Sequence, residues 1–238
     1  MEKIITYETL RFYAYSNDKL IKGPVKGIVV SFFGLGGMAM FNGDTPEGVA
    51  LAAENIIYLV PYNNPWAWMN RQAVAYTDEL IDVLAEKYGL PADIPVVSTG
   101  GSMGGQSALV YTYYAKCTPV ACIANCPVCD LPFHFTERPD LPRTLYSAYF
   151  NERGTMQDAL ESASPLHLAD RMPDCEYHIF HCEKDEAVNK QMHSDRFVAA
   201  MEKAGRRISY YAVPDRGHCD LTPEMLQKYN DLMVQMVK

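Results

Sequence analysis

The pentapeptide Gly100-Gly101-Ser102-Met103-Gly104 constrains this chain more than any other stretch. The apolar run Ile94-Pro95-Val96-Val97-Ser98 precedes it, and Gly105 and a helical pattern from Gln106 to Lys116 follow. The chain must pass from a strand through a sharp turn into a helix, with a serine at the apex. So tight a turn admits only residues with little or no side chain on either side of the serine, and glycine tolerates the strained backbone. The hydroxyl is expected above a sheet, at a helix N-terminus whose unpaired N–H groups favour developing negative charge.

The rest of the chain continues the same alternation. Ile4 to Tyr15 alternates and predicts an N-terminal strand, paired with a short one near Lys19 to Ile21. Lys26 to Phe33 and Asn55 to Val60 predict buried strands, with a helix between them capped by Asp44 or Thr45 and carrying Pro46 in its first turn. Arg71 to Tyr88 predicts a long amphipathic helix stopped by Gly89. Further strands are expected at Pro119 to Cys126, Cys175 to His181 and Ile208 to Val213, and helices at Asn189 to Ala204 and Pro223 to Val237. Strands alternating with helices imply a mostly parallel sheet covered by helices on both faces, here as one α/β domain over residues 1–238. About forty residues from Asp130 to Asp170, rich in proline and aromatics, exceed a simple crossover and predict a small cap-like insertion over the site.

The net charge of −8 and the lack of a Lys/Arg-rich run disfavour nucleic acid and anionic membrane partners. The charged, alternating first twenty residues read as neither a signal peptide nor a membrane span, and seven cysteines, an odd number, favour a reducing, cytoplasmic setting. Cys122, Cys126 and Cys129 have a C-x3-C-x2-C spacing, but they straddle a core strand and its exit, so they read as buried packing residues rather than cluster ligands.

A serine hydroxyl is a weak nucleophile until a histidine takes its proton and an acid orients that histidine. The loop after the strand ending at His181 reads Cys182-Glu183-Lys184-Asp185, with Glu183 and Glu186 as rivals to Asp185 for the acid. The loop after the last strand reads Pro214-Asp215-Arg216-Gly217-His218. Of the six histidines, His178 lies within a strand, His181 at a strand end, His134 and His167 in the insertion and His193 in a helix, which leaves His218 as the base. Cys219 reads as a small loop residue, since no strand-turn-helix surrounds it.

With these blocks in order, Ser164-Pro165, His181-x-x-x-Asp185-x-x-Val188 and Pro214-x-x-Gly217-His218, the chain resembles the α/β-hydrolase superfamily, and within it the prolyl-oligopeptidase-like and small serine esterase branch. The resemblance runs over essentially the whole chain and implies the α/β-hydrolase fold, with Ser102 as nucleophile, Asp185 as acid and His218 as base. It also makes the Met103 N–H one oxyanion donor. The second is expected from Phe33-Gly34-Leu35-Gly36-Gly37, at Leu35 first and Gly34 next. That loop lacks the histidine of the family's H-G-G-G form, and Cys182 stands where the family usually has glycine. The loop does not meet the G-x-G-x-x-G spacing of dinucleotide sites.

Trp66 and Trp68, after the Asn55 to Val60 strand, and Phe133 and Tyr149, in the insertion, are candidates for the substrate wall. The expected activity is cleavage of a small-molecule carboxylic ester through an acyl-enzyme on Ser102, with no metal and no organic cofactor. A peptidase or amidase of the prolyl-oligopeptidase-like type and a non-catalytic module on the same scaffold are the alternatives. A homo-oligomer is compatible with everything above.

Overall fold

Seven strands form one sheet in the order β1-β3-β2-β4-β5-β6-β7 in the computed structural model, which describes residues 5–37 and 40–238. They are β1 (Ala14–Ser16), β2 (Gly27–Phe32), β3 (Ile56–Pro61), β4 (Val96–Gly101), β5 (Ala121–Asn125), β6 (Glu176–Cys182) and β7 (Ile208–Val213). β1 pairs antiparallel with β3, and every other neighbouring pair is parallel. This is the α/β-hydrolase fold.

The helices are α1 (Pro46–Ala53), α2 (Arg71–Tyr88), α3 (Met103–Tyr114), α4 (Leu131–Glu137), α5 (Leu141–Tyr149), α6 (Met156–Ser162), α7 (Pro165–Leu168), α8 (Arg196–Lys203) and α9 (Pro223–Gln235). Alternate strand residues feed opposite layers, as the two-residue period requires. Ile28, Val30, Cys122 and Ala124 pack with Leu80 and Leu84 of α2, Leu109 of α3 and Phe197 of α8. Val29, Ala121 and Ile123 pack with Leu51 of α1 and Leu232 of α9. The cap expected at Asp44 or Thr45 is formed by Thr45, whose side chain accepts the Gly48 N–H, and Gly89 closes α2 in the left-handed conformation at φ 60°; the Asn70 side chain, not foreseen as a cap, accepts the Ala73 N–H. No helix among the described residues is long and apolar enough to cross a membrane.

The expected N-terminal strand is corrected. Ile4 lies outside the described residues, and the strand itself is confined to Ala14–Ser16. Ahead of it, Thr9 Oγ1 accepts the Thr6 N–H at 2.9 Å and the backbone tightens into a 3-10 turn at Leu10–Phe12, so side-chain-to-backbone bonding overrides the alternating pattern. The expected short strand near Lys19 is likewise a 3-10 turn, Asp18–Leu20. α8 is shorter than expected, because residues Gln191–Asp195 form a π-helical turn that carries the buried His193 inward.

The segment between β5 and β6 holds α4 to α7. Leu131, Leu141, Leu145 and Leu160 from these helices bury their side chains against Trp68, Met103 and Val188. The segment thus has an apolar cluster of its own at the C-terminal ends of the strands, where open α/β sheets place their sites. Cys122, Cys126 and Cys129 do not come together: Cys122 and Cys129 belong to the main core, while Cys126 packs with Cys182 and Val213.

Candidate active site

β4 ends at Gly101, and Ser102 occupies φ 59°, ψ −124° before α3 begins at Met103. That conformation is costly for a residue with a Cβ, so the surroundings must enforce it. The Ser102 N–H donates to Asn125 O at 2.9 Å, and the Ser102 carbonyl accepts the Gly105 and Gln106 N–H groups at 3.0 and 3.1 Å. A Cβ on Gly104 would stand 2.1 Å from Phe32 O, and one on Gly100 would stand 2.5 Å from the Gly104 carbonyl. The two glycines are therefore required by the close approach of β2, β4 and α3. Ser102 Oγ has no hydrogen-bond partner among the described residues and opens onto a cavity of about 510 Å³.

The loops after β6 and β7 bring an acid and a base to the same place. His218 Nδ1 donates to Asp185 Oδ2 at 2.7 Å. Asp185 Oδ1 accepts the Ala187 and Val188 N–H groups, both at 2.9 Å, and its side chain is fully buried. His181 holds it from behind: His181 Nε2 lies 3.1 Å from Val188 O and 3.3 Å from Asp185 Oδ2, while Ser194 Oγ bonds its Nδ1 at 2.7 Å. Burial alone would raise the Asp185 pKa, but the His181, His218 and Val188 contacts outweigh it and hold the carboxyl well below its ordinary range. Burial likewise would lower His218, but Asp185 and then Cys126 outweigh it and push the imidazole up to about 9. Glu183 and Glu186 are exposed.

His218 and Ser102 line the same cavity, yet Ser102 Oγ and His218 Nε2 are not hydrogen-bonded in this structure. His218 Nε2 instead faces Cys219 Sγ at 3.7 Å. Such contacts often tighten only when substrate is present. Gly34 and Leu35 form the wall opposite His218, and the N–H groups of Gly34, Leu35 and Met103 have no acceptor among the described residues. Gly34 and Leu35 line the cavity with Ser102, and Met103 follows Ser102 as the first residue of α3.

Trp68, fully buried, is part of the cavity wall, and its Nε1 donates to Thr144 Oγ1 of α5 at 3.1 Å. The other three aromatic candidates are not in that wall. Trp66 faces a separate cavity beside Tyr62 and Asn70, with the Arg143 guanidinium 5.2 Å above its ring. Phe133 packs edge-on against His193 at 5.7 Å. Tyr149 is buried and donates its hydroxyl to Trp68 O, so it braces the wall from behind. Packing between distant elements decides which ring borders the cavity, and sequence spacing alone does not carry it.

Sequence reasoning missed the other wall residues: His134 and Arg138 from the end of α4, and Ala187, Val188 and Cys219 from the two catalytic loops. The signal for α4 was the His134-x-x-Glu137 spacing, which puts both on one helix face. Glu137 Oε2 bonds His134 Nδ1 at 2.6 Å and His193 Nε2 at 3.0 Å. The Cys129 and Asp130 N–H groups, both at 3.1 Å, donate to His193 Nδ1 and leave its proton on Nε2. Burial would raise the Glu137 pKa, but the two imidazoles outweigh it and hold it far below the ordinary 4.5.

Glu137 and Asp185 both have depressed folded-state pKa values, so each stabilises the fold above the unfolded carboxyl range and loses that contribution as pH falls through and below about 4. Urea denaturation should show stability falling steeply below about pH 4. Glu137→Gln should flatten that acid slope. An unchanged slope would remove Glu137 from the account.

The model of the prolyl oligopeptidase family matches residues 78–234, which include Ser102, Asp185 and His218. Among curated proteins, "Dipeptidyl peptidase family member 6" of Caenorhabditis elegans is 33% identical over 131 residues, covering 52% of this chain and 17% of that protein. Among solved structures, a Mycobacterium tuberculosis puromycin-hydrolyzing peptidase superposes with TM-score 0.72 at 17% identity, over 91% of this chain and 34% of that one. A thermophilic esterase of Thermogutta terrifontis superposes with TM-score 0.64 at 18% identity, over 94% of this chain and 88% of that one. At such identities the structural likeness shows the fold. The chain spans about a sixth of the curated relative and about a third of the peptidase structure.

Proposed function

The chain belongs to the prolyl oligopeptidase family of serine hydrolases, and from that premise we propose that it cleaves small carboxylic esters through an acyl-enzyme on Ser102. The observation that carries the reading is that one cavity is lined by Ser102 at its strained apex, by His218 bonded to the buried Asp185, and by Gly34 and Leu35, whose N–H groups have no acceptor among the described residues.

The chemistry follows from these positions. With Nδ1–H on Asp185, His218 presents the Nε2 lone pair to the cavity. A side-chain rotation that brings Ser102 Oγ to Nε2 lets His218 take the hydroxyl proton as Oγ attacks the carbonyl carbon. The Met103 and Leu35 N–H groups hold the oxyanion, at the N-terminus of α3. His218 returns the proton to the alkoxide as the C–O bond breaks, and the alcohol leaves. A water then loses a proton to His218, attacks the acyl carbon, and frees the acid and Ser102.

An ester is favoured over a peptide by the cavity itself. Among the described residues its wall has no carboxylate to pair with a substrate amino group, and Trp68, Val188 and Leu35 offer an apolar surface for an acyl chain. The esterase-type solved structures also match this chain over most of their length. A fluorophosphonate probe should label Ser102 in the folded protein and not after denaturation. p-Nitrophenyl esters should be cleaved with kcat/KM roughly tenfold or more above p-nitroanilides of the same acyl group. Labelling combined with a preference for anilides would favour the peptidase reading. No labelling would end the hydrolase assignment.

A further inference from the structure

The catalytic histidine has a second set of neighbours that the hydrolytic reaction leaves unused. Cys126 follows the end of β5 and Cys219 follows His218, and both hold left-handed backbones, at φ 47° and φ 58°. These conformations turn the two thiols toward each other and toward the imidazole. Cys126 Sγ, Cys219 Sγ and His218 Nε2 lie within 4.8 Å of one another, with Cys219 Sγ 3.7 Å from Nε2. In a tetrahedral zinc site the thiolates lie about 2.3 Å and the imidazole nitrogen about 2.0–2.1 Å from the metal, which sets the S···N spacing at roughly 3.6 Å. The donors thus already stand close to the spacing that such an ion needs.

We infer that Cys126, Cys219 and His218 form a site for a thiophilic divalent cation of the zinc class, and that the cation reversibly inhibits the hydrolase by occupying His218 Nε2.

The surroundings are those of a built site. Cys126 Sγ accepts the Cys182 and Cys219 N–H groups, each at 3.4 Å, so its electron density is already supported by two backbone dipoles. Asn125 Nδ2 donates to the Cys219 carbonyl at 3.2 Å and fixes the loop that carries the second thiol. Asp185 accepts the His218 Nδ1–H at 2.7 Å, which directs the Nε2 lone pair toward the two sulfurs. The same carboxylate–histidine pair that would serve proton transfer is the arrangement that orients metal-bound histidines. Cys126 is fully buried, but Cys219 and His218 line the cavity over Ser102, which gives the ion its path and leaves a fourth position open toward that cavity.

The charges balance. Each thiol loses one proton to solvent on binding, two thiolates neutralise the dication, and the imidazole binds in its neutral form, any protonated ring giving up its Nε2 proton to solvent as well. No uncompensated charge is left beside the core. With Nε2 committed to the metal, His218 has no lone pair for the Ser102 proton. This inhibitory consequence rests on the hydrolase reading, whereas the binding does not.

Cobalt(II) reports the site without turnover. Titrated into anaerobic, reduced Ser102→Ala protein, it should give thiolate-to-cobalt charge-transfer absorption and intense tetrahedral d–d bands, saturating at one ion per chain and displaced by zinc(II). Cys219→Ala and Cys126→Ala should each abolish the one-to-one tetrahedral spectrum. Replacement of the exposed Cys117 should leave it intact, with circular dichroism establishing that each variant is folded. In the wild type, zinc(II) should inhibit ester cleavage and a chelator should restore it. The half-inhibitory concentration should rise at least tenfold in Cys219→Ala, measured against that variant's own zinc-free rate. A missing tetrahedral spectrum, or one that persists in folded Cys219→Ala, overturns the site. Tight binding without inhibition of an active enzyme overturns the inhibitory role. A clear spectrum in a protein that cleaves no ester leaves the site standing and removes the esterase reading alone.

Discussion

Ser102→Ala should leave a folded protein whose kcat for p-nitrophenyl esters is lower by about 10⁴-fold or more. The substitution touches the chemistry first and the fold second. Ser102 lines the same cavity as Gly34, Leu35 and His218, and in the proposed reaction its Oγ is the bond-forming atom, so its removal takes that atom away. The remaining donors can still polarise a carbonyl, which leaves a residual rate above that in water. On the structural side, Oγ makes no hydrogen bond that folding would lose, and alanine keeps the Cβ that already tolerates φ 59°. Stability should therefore change by no more than about 0.5 kcal/mol. Urea denaturation checks the fold and steady-state kinetics the chemistry. A folded variant that keeps the wild-type rate would show that another group attacks.

Asp185→Asn tests the base through its orienting partner. An asparagine keeps an oxygen for the Ala187 and Val188 N–H groups, so the loop has no reason to collapse. Its amide N–H, however, would face His218 Nδ1, which would then accept and carry its proton on Nε2 instead. That tautomer cannot take the Ser102 proton, and kcat should fall by about 10⁴-fold. The same amide would confront His181 Nε2, which lies 3.3 Å from Asp185 Oδ2 and has Val188 O as its other neighbour, so the buried mismatch should cost about 1–3 kcal/mol of stability. The pH profile gives a separate readout. In the wild type the base must be neutral, so kcat/KM should climb as His218, pushed up to about 9, loses its proton. Without the Asp185 charge the imidazole is less favoured in its protonated form, and the midpoint of the residual activity should move down. A variant with a normal rate and an unmoved midpoint would exclude Asp185 from the site.

Much of this arrangement was legible in the residues. Thr45 at its cap, Gly89 at the C-terminus of α2 and the apolar runs of β2 to β7 each carry a local rule, and the helix and strand ends fall within a few residues of those rules. The N-terminal segment was not legible in the same way. Thr6 and Thr9 close a turn on themselves, a bond of three-residue reach that the alternation of apolar residues does not register. The aromatic wall was legible only as a set: Trp66, Trp68, Phe133 and Tyr149 all lie in segments around the site, but only the ring of Trp68 borders the cavity over Ser102.

By itself, the sequence determined the strand–turn–helix at Ser102, the mostly parallel character of its sheet, and the loops on which Asp185 and His218 stand. These follow from short-range chemistry: glycine where backbones nearly touch, apolar period two in strands, and caps at helix ends. Only the tertiary structure decided which side chains face one another across those loops. His134 and Arg138 reach the cavity wall from α4, Glu137 bridges two imidazoles, and Cys126 and Cys219 meet at His218, although more than ninety positions separate the two cysteines. Such meetings depend on packing between elements distant in the chain, for which no local pattern of residues is a proxy.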